Sequence, residues 1–541
     1  MAVAPQWPEI VAFGPGTRTA AKLEVIGFKA HNLARMAGAG LPVPPGFVLG
    51  TSFCRRFFEA GGRLPDDMRP LLASQVQRLE RDSGLAFGSS RKPLLVSVRS
   101  GAAVSMPGMM ETLLNVGLTE SSLRGLLRMT GNPRLVWDSY RRLVQSFAEV
   151  VHRCPRAPFE TALATELQAA GVSRPQELDY RSLETLARRY LAVFESLSGH
   201  EFPQDPMDQL ESAVRAVFES WNAEKAKVYR RMNRIDENTG TAVTIQRMVF
   251  GNAGGTSGSG VAFTRDPATG EDQLYMDFMF NAQGEDVVSG RRAFGEPVAL
   301  EDALPDAFRA LHDARHVLEA EFRDAQEIEF TVENGKLYFL QTRSAKRTPW
   351  AALRIAVEQA NQGLIDRRTA LAHLSAYDLA AIQEVRLEAV DGARLLCRAE
   401  PASIGVASGA IALDAQAASR FAGAGRDVIL VREETSTDDI AGIATAGGIL
   451  TALGGRTSHA VVVARQLAKV CIVGCRELVI DFPARRCAIA GEWFNEGDVI
   501  CLDGRSGQVF AGEPLRVVER PTAYLAEVEK WRREAAPAAK M

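Results

Sequence analysis

The stretch "GGRTSHAVVVARQLAK", residues 454–469, places two glycines and two hydroxyl residues before a histidine, His459, and an apolar run after it. A histidine that carries a phosphoryl group needs a neutral imidazole, an exposed nitrogen and electropositive surroundings. Gly454 and Gly455 permit a sharp turn, and Thr457 or Ser458 can cap the helix that follows. His459 then falls in the first helical turn, where free N–H groups and the helix dipole favour an anion and disfavour imidazolium. Arg456 and Arg465 add positive charge. On these residues alone, a phosphoryl carrier and an ordinary helix-start histidine are both open.

A second constellation lies in "IEFTVENGKLYFLQTR". Glu327 and Glu329 share one strand face at period two, and Gln341 and Arg343 share one face of the next strand. The "ENG" between the two alternating runs signals a hairpin that brings the faces side by side. Two carboxylates, an amide and a guanidinium suit a Mg²⁺–triphosphate site, with oxygen for the hard cation and arginine for phosphate. A cross-strand ion pair on a solvated hairpin is the competing reading. Upstream, "GNAGGTSGSGVAFTRDP" (251–267) is a glycine- and hydroxyl-rich loop that lets backbone N–H groups approach phosphate. It lacks the Gly-Lys-Ser/Thr ending of a Walker loop.

The elements that must position these residues change style along the chain. Residues 1–110 mix short apolar runs with Gly/Pro turns, and "PLLVSV" reads as a buried strand. Three- and four-residue apolar spacing predicts helices over about 120–235. Strands return over 241–345, and 348–390 reads as a charged helical connector. From 400 to about 512 the sequence is small and Gly/Ala/Val-rich. The last 29 residues after Gly512 are polar, helical or frayed.

The 541 residues carry 46% hydrophobic and 24% charged side chains at a net charge of −3, the balance of a globular enzyme and not of a nucleic-acid coat. No apolar run is long enough to span a bilayer, and no signal segment is evident, so a cytoplasmic chain is expected. The seven cysteines lack paired spacing. Cys471 and Cys475 read as thiols of a core strand. The other histidines (31, 152, 200, 312, 316 and 373) show no triad or metal pattern.

Several long strings resemble the pyruvate phosphate dikinase family: "KLEVIGFKAHNLARMAGAGLPVPPGFVL", "SVRSGAAVSMPGMMETLLNVGL", "WDSYRRLVQSFAEVV", "FPQDP", "MVFGNAGGTSGSGVAFTRDPATGE", "NAQGEDVVSG" and "TSHAVVVAR". The resemblance covers nearly the whole chain. It implies an α/β (α+β) chain with an ATP-grasp nucleotide-binding domain over 1–345, including the helical insertion. A helical linker over 346–395, a swivelling β/β/α phosphohistidine domain over 396–515 and a tail over 516–541 would follow. Lys29 and Arg99 would hold nucleotide phosphates, Gln246, Met248 and Val249 would lie at the adenine strand, and Glu327 and Arg343 would complete the transfer site. Glu329 and Gln341 would hold Mg²⁺. His459 would be the nucleophile, with Arg343 and Arg99 in the catalytic set, and Thr457 matches a threonine that is reversibly phosphorylated in some members.

Departures accompany the match. Gly27-Phe28-Lys29-Ala30 stands for the family's Gly-Gly-Lys-Gly, Glu327 for Asp, and Arg456 for Met. "SGRRAFGEP" replaces Ile-Arg-Thr-Pro, which leaves the role of Arg291 or Arg292 open. The implied reaction is ATP-dependent phosphorylation of His459, giving AMP with PPi if phosphate is co-substrate or with Pi if water is. The family's receiving (β/α)₈ barrel needs roughly 250 residues, so pyruvate or phosphoenolpyruvate is expected to engage a separate barrel protein. Transfer to another small molecule or protein, and a non-catalytic regulatory remnant, are the alternatives. The expected partners are ATP and inorganic phosphate, with neither nucleic acid nor membrane; a homodimer is compatible.

Overall fold

Two units emerge in a computed structural model of the chain, which describes residues 9–535 apart from 18–20, 105, 107–109, 285–299, 390–392, 436–438 and 456–458. The first comprises Met1–Ser257 and Thr331–Thr342, and the second Gly258–Phe330 and Arg343–Met541.

In the first unit a sheet runs in the order Ile10–Phe13, Gly46–Leu49, Ala242–Arg247, Val96–Gly101, Thr112–Val116. Neighbouring strands are antiparallel throughout. Helices follow where periodicity predicts them, including Pro133–Val151, Tyr180–Ser198 and Pro206–Trp221. Their starts are local chemistry: the side chains of Asn132, Asp179 and Asp205 accept backbone N–H groups of the first turn. Left-handed glycines at Gly131, Gly171 and Gly199 end the helices before or between them. Phe147, Phe194 and Phe202 pack ring against ring at the centre of this unit's core.

The second unit starts with the antiparallel pair Gly258–Phe263 and Tyr275–Phe280, in which Phe263 faces Tyr275. In the sheet the strands Lys336–Ser344, Gln326–Glu333, Gly258–Phe263 and Tyr275–Phe280 follow in that order. Arg265, just beyond the first of these strands, is 1% exposed and donates to Glu319, Glu358 and Gln362. It ties the helix Pro305–Phe322 to the helix Pro349–Asn361. Tyr524 of the C-terminal helix Thr522–Ala535 also donates to Glu358, at 3.0 Å. Val528 and Trp531 of that helix bury against Leu353, Val357 and Leu374, and Leu515–Glu519 pairs with Glu384–Ala389. The residues after 512 are therefore helical and docked from 522 to 535, and not frayed.

Residues 394–511 build an eight-stranded mixed sheet. Four neighbours in it, Val406–Ala412, Val428–Arg432, Gly448–Thr451 and Val470–Val473, are parallel. The helix His459–Gln466 is the crossover between the last two. The mixed α/β class read from the sequence is the one observed.

Candidate functional site

In the first unit, the helix Leu23–Gly38 breaks its helical path at Gly27 (φ 74°, ψ 162°). A Cβ there would collide with the Gly101 carbonyl, so only glycine lets the turn reach the end of the strand Val96–Gly101. Phe28 N–H then donates to Ala102 O at 2.9 Å. Lys29 comes next, half-buried, and Arg99 lies two residues before Gly101, half-buried in register with Thr244 and Thr112. The break thus sets two cationic side chains on adjoining elements. Phe28 takes part in the backbone contact that forms this turn.

Gln246 is 1% exposed, and its Nε2 donates to Pro44 O at 3.0 Å. Its amide holds a strand edge. Met248 and Val249 are buried on the exit from that strand, with Met248 N–H donating to Leu95 O at 2.8 Å. Sequence reading missed Glu333, whose carboxylate accepts Phe250 N–H at 2.9 Å and pairs with Arg247 at 3.3 Å. Burial raises the Glu333 pKa against the pull of Phe250 N–H and Arg247. Asn32 was missed as well. One turn beyond Lys29 and 4% exposed, it donates to Thr342 O at 2.8 Å, beside half-buried Gln341. An alternation signal exists for Glu333 at its strand end. Asn32 has none, because its partner is 310 residues away.

In the second unit, Glu327 and Glu329 lie on the strand Gln326–Glu333, Glu327 buried and Glu329 half-buried. Arg343, on the facing strand, donates to Glu327. Burial lowers the Arg343 pKa, but the Glu327 hydrogen bond and charge, with Glu329 adding to it, leave it raised. The cross-strand ion pair is therefore made. Glu329 and Arg343 group with the second unit and Gln341 with the first. The glycine-rich run has a packing role in part: Gly258 and Gly260 pass beneath the rings of Phe278 and Phe330, where a Cβ would clash. Those rings are stacked, with centroids 5.8 Å apart.

His459 opens the crossover helix at the C-terminal edge of the parallel strands. Open α/β sheets bind ligands at that edge, and helix N-termini there accept anions. Gly454 takes φ 104° on the approach. Arg456, Thr457 and Ser458 lie outside the described residues, as do Arg291 and Arg292. Arg465 is a correction. Expected to add charge near the histidine, it is instead 1% exposed, with Nε on Ala402 O at 2.8 Å and Nη2 on Tyr275 Oη at 3.0 Å. A cation that sequence reading missed, Arg432, ends the strand beside Gly448–Thr451, in register with Thr451. Asp439 holds it at 3.3 Å. All seven cysteines are free and buried. Among the described residues, no helix is long and apolar enough to cross a membrane.

Comparison with known proteins supplies a context for this geometry. Residues 62–305 match the family described as pyruvate phosphate dikinase, AMP/ATP-binding domain. Residues 424–507 match that described as PEP-utilising enzyme, mobile domain. The chain is 44% identical over 492 residues to pyruvate, phosphate dikinase of Clostridium symbiosum, covering 90% of this chain and 56% of that one. It is 42% identical over 495 residues to pyruvate, phosphate dikinase 2 of Zea mays, covering 91% and 56%. To pyruvate, phosphate dikinase of Rhizobium meliloti it is 41% identical over 538 residues, covering 97% and 60%. The chain thus spans little more than half the length of these relatives. The two matched domains and the observed architecture fit an ATP-grasp domain followed by a phosphohistidine domain.

Proposed function

We propose that this chain, similar over nearly its whole length to pyruvate, phosphate dikinases, is a phosphotransferase that loads His459 from ATP. The observation that carries the reading is the place of His459, first residue of a parallel crossover helix within the residues that match the PEP-utilising enzyme mobile domain. Neutral imidazole attacks the β-phosphorus of ATP and displaces AMP. Inorganic phosphate then takes the terminal phosphoryl group as PPi and leaves one phosphoryl group on His459.

Lys29 and Arg99 bind nucleotide phosphates in this scheme, on elements locked by the Gly27–Gly101 approach. The adenine lies by Met248 and Val249, with Gln246 holding that strand in place. Arg343 offers its guanidinium to the transferred group while Glu327 orients it. The donor set of Glu329 and Gln341 is all oxygen and fits Mg²⁺, which when bound offsets phosphate charge. Regulatory phosphorylation of Thr457 is a secondary proposal. We assign the nucleotide domain to 1–345, the linker to 346–395, the histidine domain to 396–515 and the remainder to 516–541, in a cytoplasmic protein. The onward acceptor is pyruvate, by similarity to the relatives.

Product analysis tests this. Incubated with ATP, Mg²⁺ and phosphate, the wild type should release one AMP per chain in a first turnover, with PPi and no ADP. Release of ADP, or AMP release that persists in His459→Ala, would refute the scheme.

A further inference from the structure

Arg465 leaves the histidine helix six residues after His459 and enters a slot formed by another sheet. The slot is made by Phe263 and Tyr275, cross-strand partners whose ring centroids lie 5.6 and 5.3 Å from the guanidinium carbon. Tyr275 stands on the edge strand of the sheet that also carries Glu327 and Glu329. Nη2 donates to the Tyr275 hydroxyl at 3.0 Å, while Nε donates back to Ala402 O at 2.8 Å. Among the described residues, Nη1 is buried without an acceptor. None of these contacts is with a carboxylate.

A charge buried against ring faces, one hydroxyl and one carbonyl is held by cation–π attraction and hydrogen bonds alone. That is enough to seat a helix and weak enough to release it. The contact links the element bearing His459 directly to the sheet bearing the proposed transfer residues. Its second anchor, Ala402, lies on Glu400–Ser403, which pairs with Val470–Val473 at the end of the same crossover. One guanidinium therefore joins the helix, the edge strand Glu400–Ser403 and Tyr275.

We propose that Arg465 and Tyr275 form the latch that seats the histidine helix on the nucleotide-binding sheet, and that the seated position is the one in which His459 is loaded. The proposal rests on the phosphohistidine reading above. Both are positioning residues: Arg465 meets Tyr275, Phe263 and Ala402 and acts through the helix it seats.

Tyr275→Phe tests it, since the ring stays and only the acceptor oxygen leaves. Single-turnover labelling from ATP labelled at the β-phosphate should be about tenfold slower at saturating ATP, the scale of a lost hydrogen bond to a charged group. The ATP concentration giving half-maximal rate should not change, whereas a damaged nucleotide site would move it. Arg465→Lys, which keeps the charge and one donor, should retain more rate than Arg465→Met. A Tyr275→Phe protein that loads at the wild-type rate overturns the latch. If the wild type itself takes no label, the phosphohistidine reading has failed, and hydrogen exchange decides the latch alone. Peptides covering 275–280 and 459–466 should then exchange faster together in Tyr275→Phe, and unchanged protection in both overturns it.

Discussion

Two arginines of the second unit, Arg265 and Arg465, are each 1% exposed and do opposite work. Arg265 places Nε and Nη2 on Glu319, Nη1 on Glu358 and Nη2 also on Gln362, so every guanidinium nitrogen is bonded. Arg465 has a hydroxyl, a carbonyl and two rings, with Nη1 left over. Burial alone therefore does not say what a cation is for; the charge of its partners does. The first arrangement neutralises the cation at a permanent joint between the sheet, the helix Pro349–Asn361 and the C-terminal helix. The second leaves it uncompensated at a joint that can open.

Arg265→Met should have the largest effect. Removing this cation strands buried Glu319 and should destabilise the second unit by about 3–5 kcal/mol. The lowest-temperature calorimetric transition should fall by many degrees. A variant that melts like wild type would show that Arg265 is no joint at all.

Gly27→Ala should come next, at roughly 1–3 kcal/mol of backbone strain. It would displace Lys29, so nucleotide binding measured by titration calorimetry should weaken while the second unit's transition stays put. Arg465→Met should cost less than Arg265→Met, about 1–2 kcal/mol for the hydrogen bonds it gives up. Denaturant midpoints of the two variants, compared directly, settle the ranking. Equal or reversed losses would erase the distinction drawn between the joints.

Acid gives the smallest and most selective effect. Asp138, buried in the first unit, pays for burial but is held near pKa 2 by Arg141 and Arg142. Its contribution is complete above the ordinary aspartate range and is lost as pH falls through about 2. The Arg465 contact has no carboxylate to titrate. Hydrogen exchange between pH 4 and 2 should therefore loosen the helix Pro133–Val151 before the contact at Tyr275–Phe280. The reverse order would contradict this assignment of charges.

Local pattern explains how much of this was readable beforehand. The hairpin follows from alternation on both sides of Asn334-Gly335, which take φ 50° and 77°. Its cross-strand partners, Glu327 and Arg343, follow from period two. The turn before the His459 helix is legible in Gly454, which takes φ 104°. What was not readable depends on residues distant in sequence. Arg465 looked like charge for the histidine because its true partner, Tyr275, is 190 residues away. Arg265 and Asn32 hid their roles for the same reason. Gly258 and Gly260 read as a phosphate loop because nothing local reveals the rings of Phe278 and Phe330 above them.

In the proposed chemistry His459 receives a phosphoryl group from the β position of ATP. Peptide mapping after reaction with β-labelled ATP, Mg²⁺ and phosphate tests it most directly. One acid-labile, base-stable label is expected on the peptide containing His459, absent in His459→Ala. Label on any other residue, or none on the wild type, would contradict it.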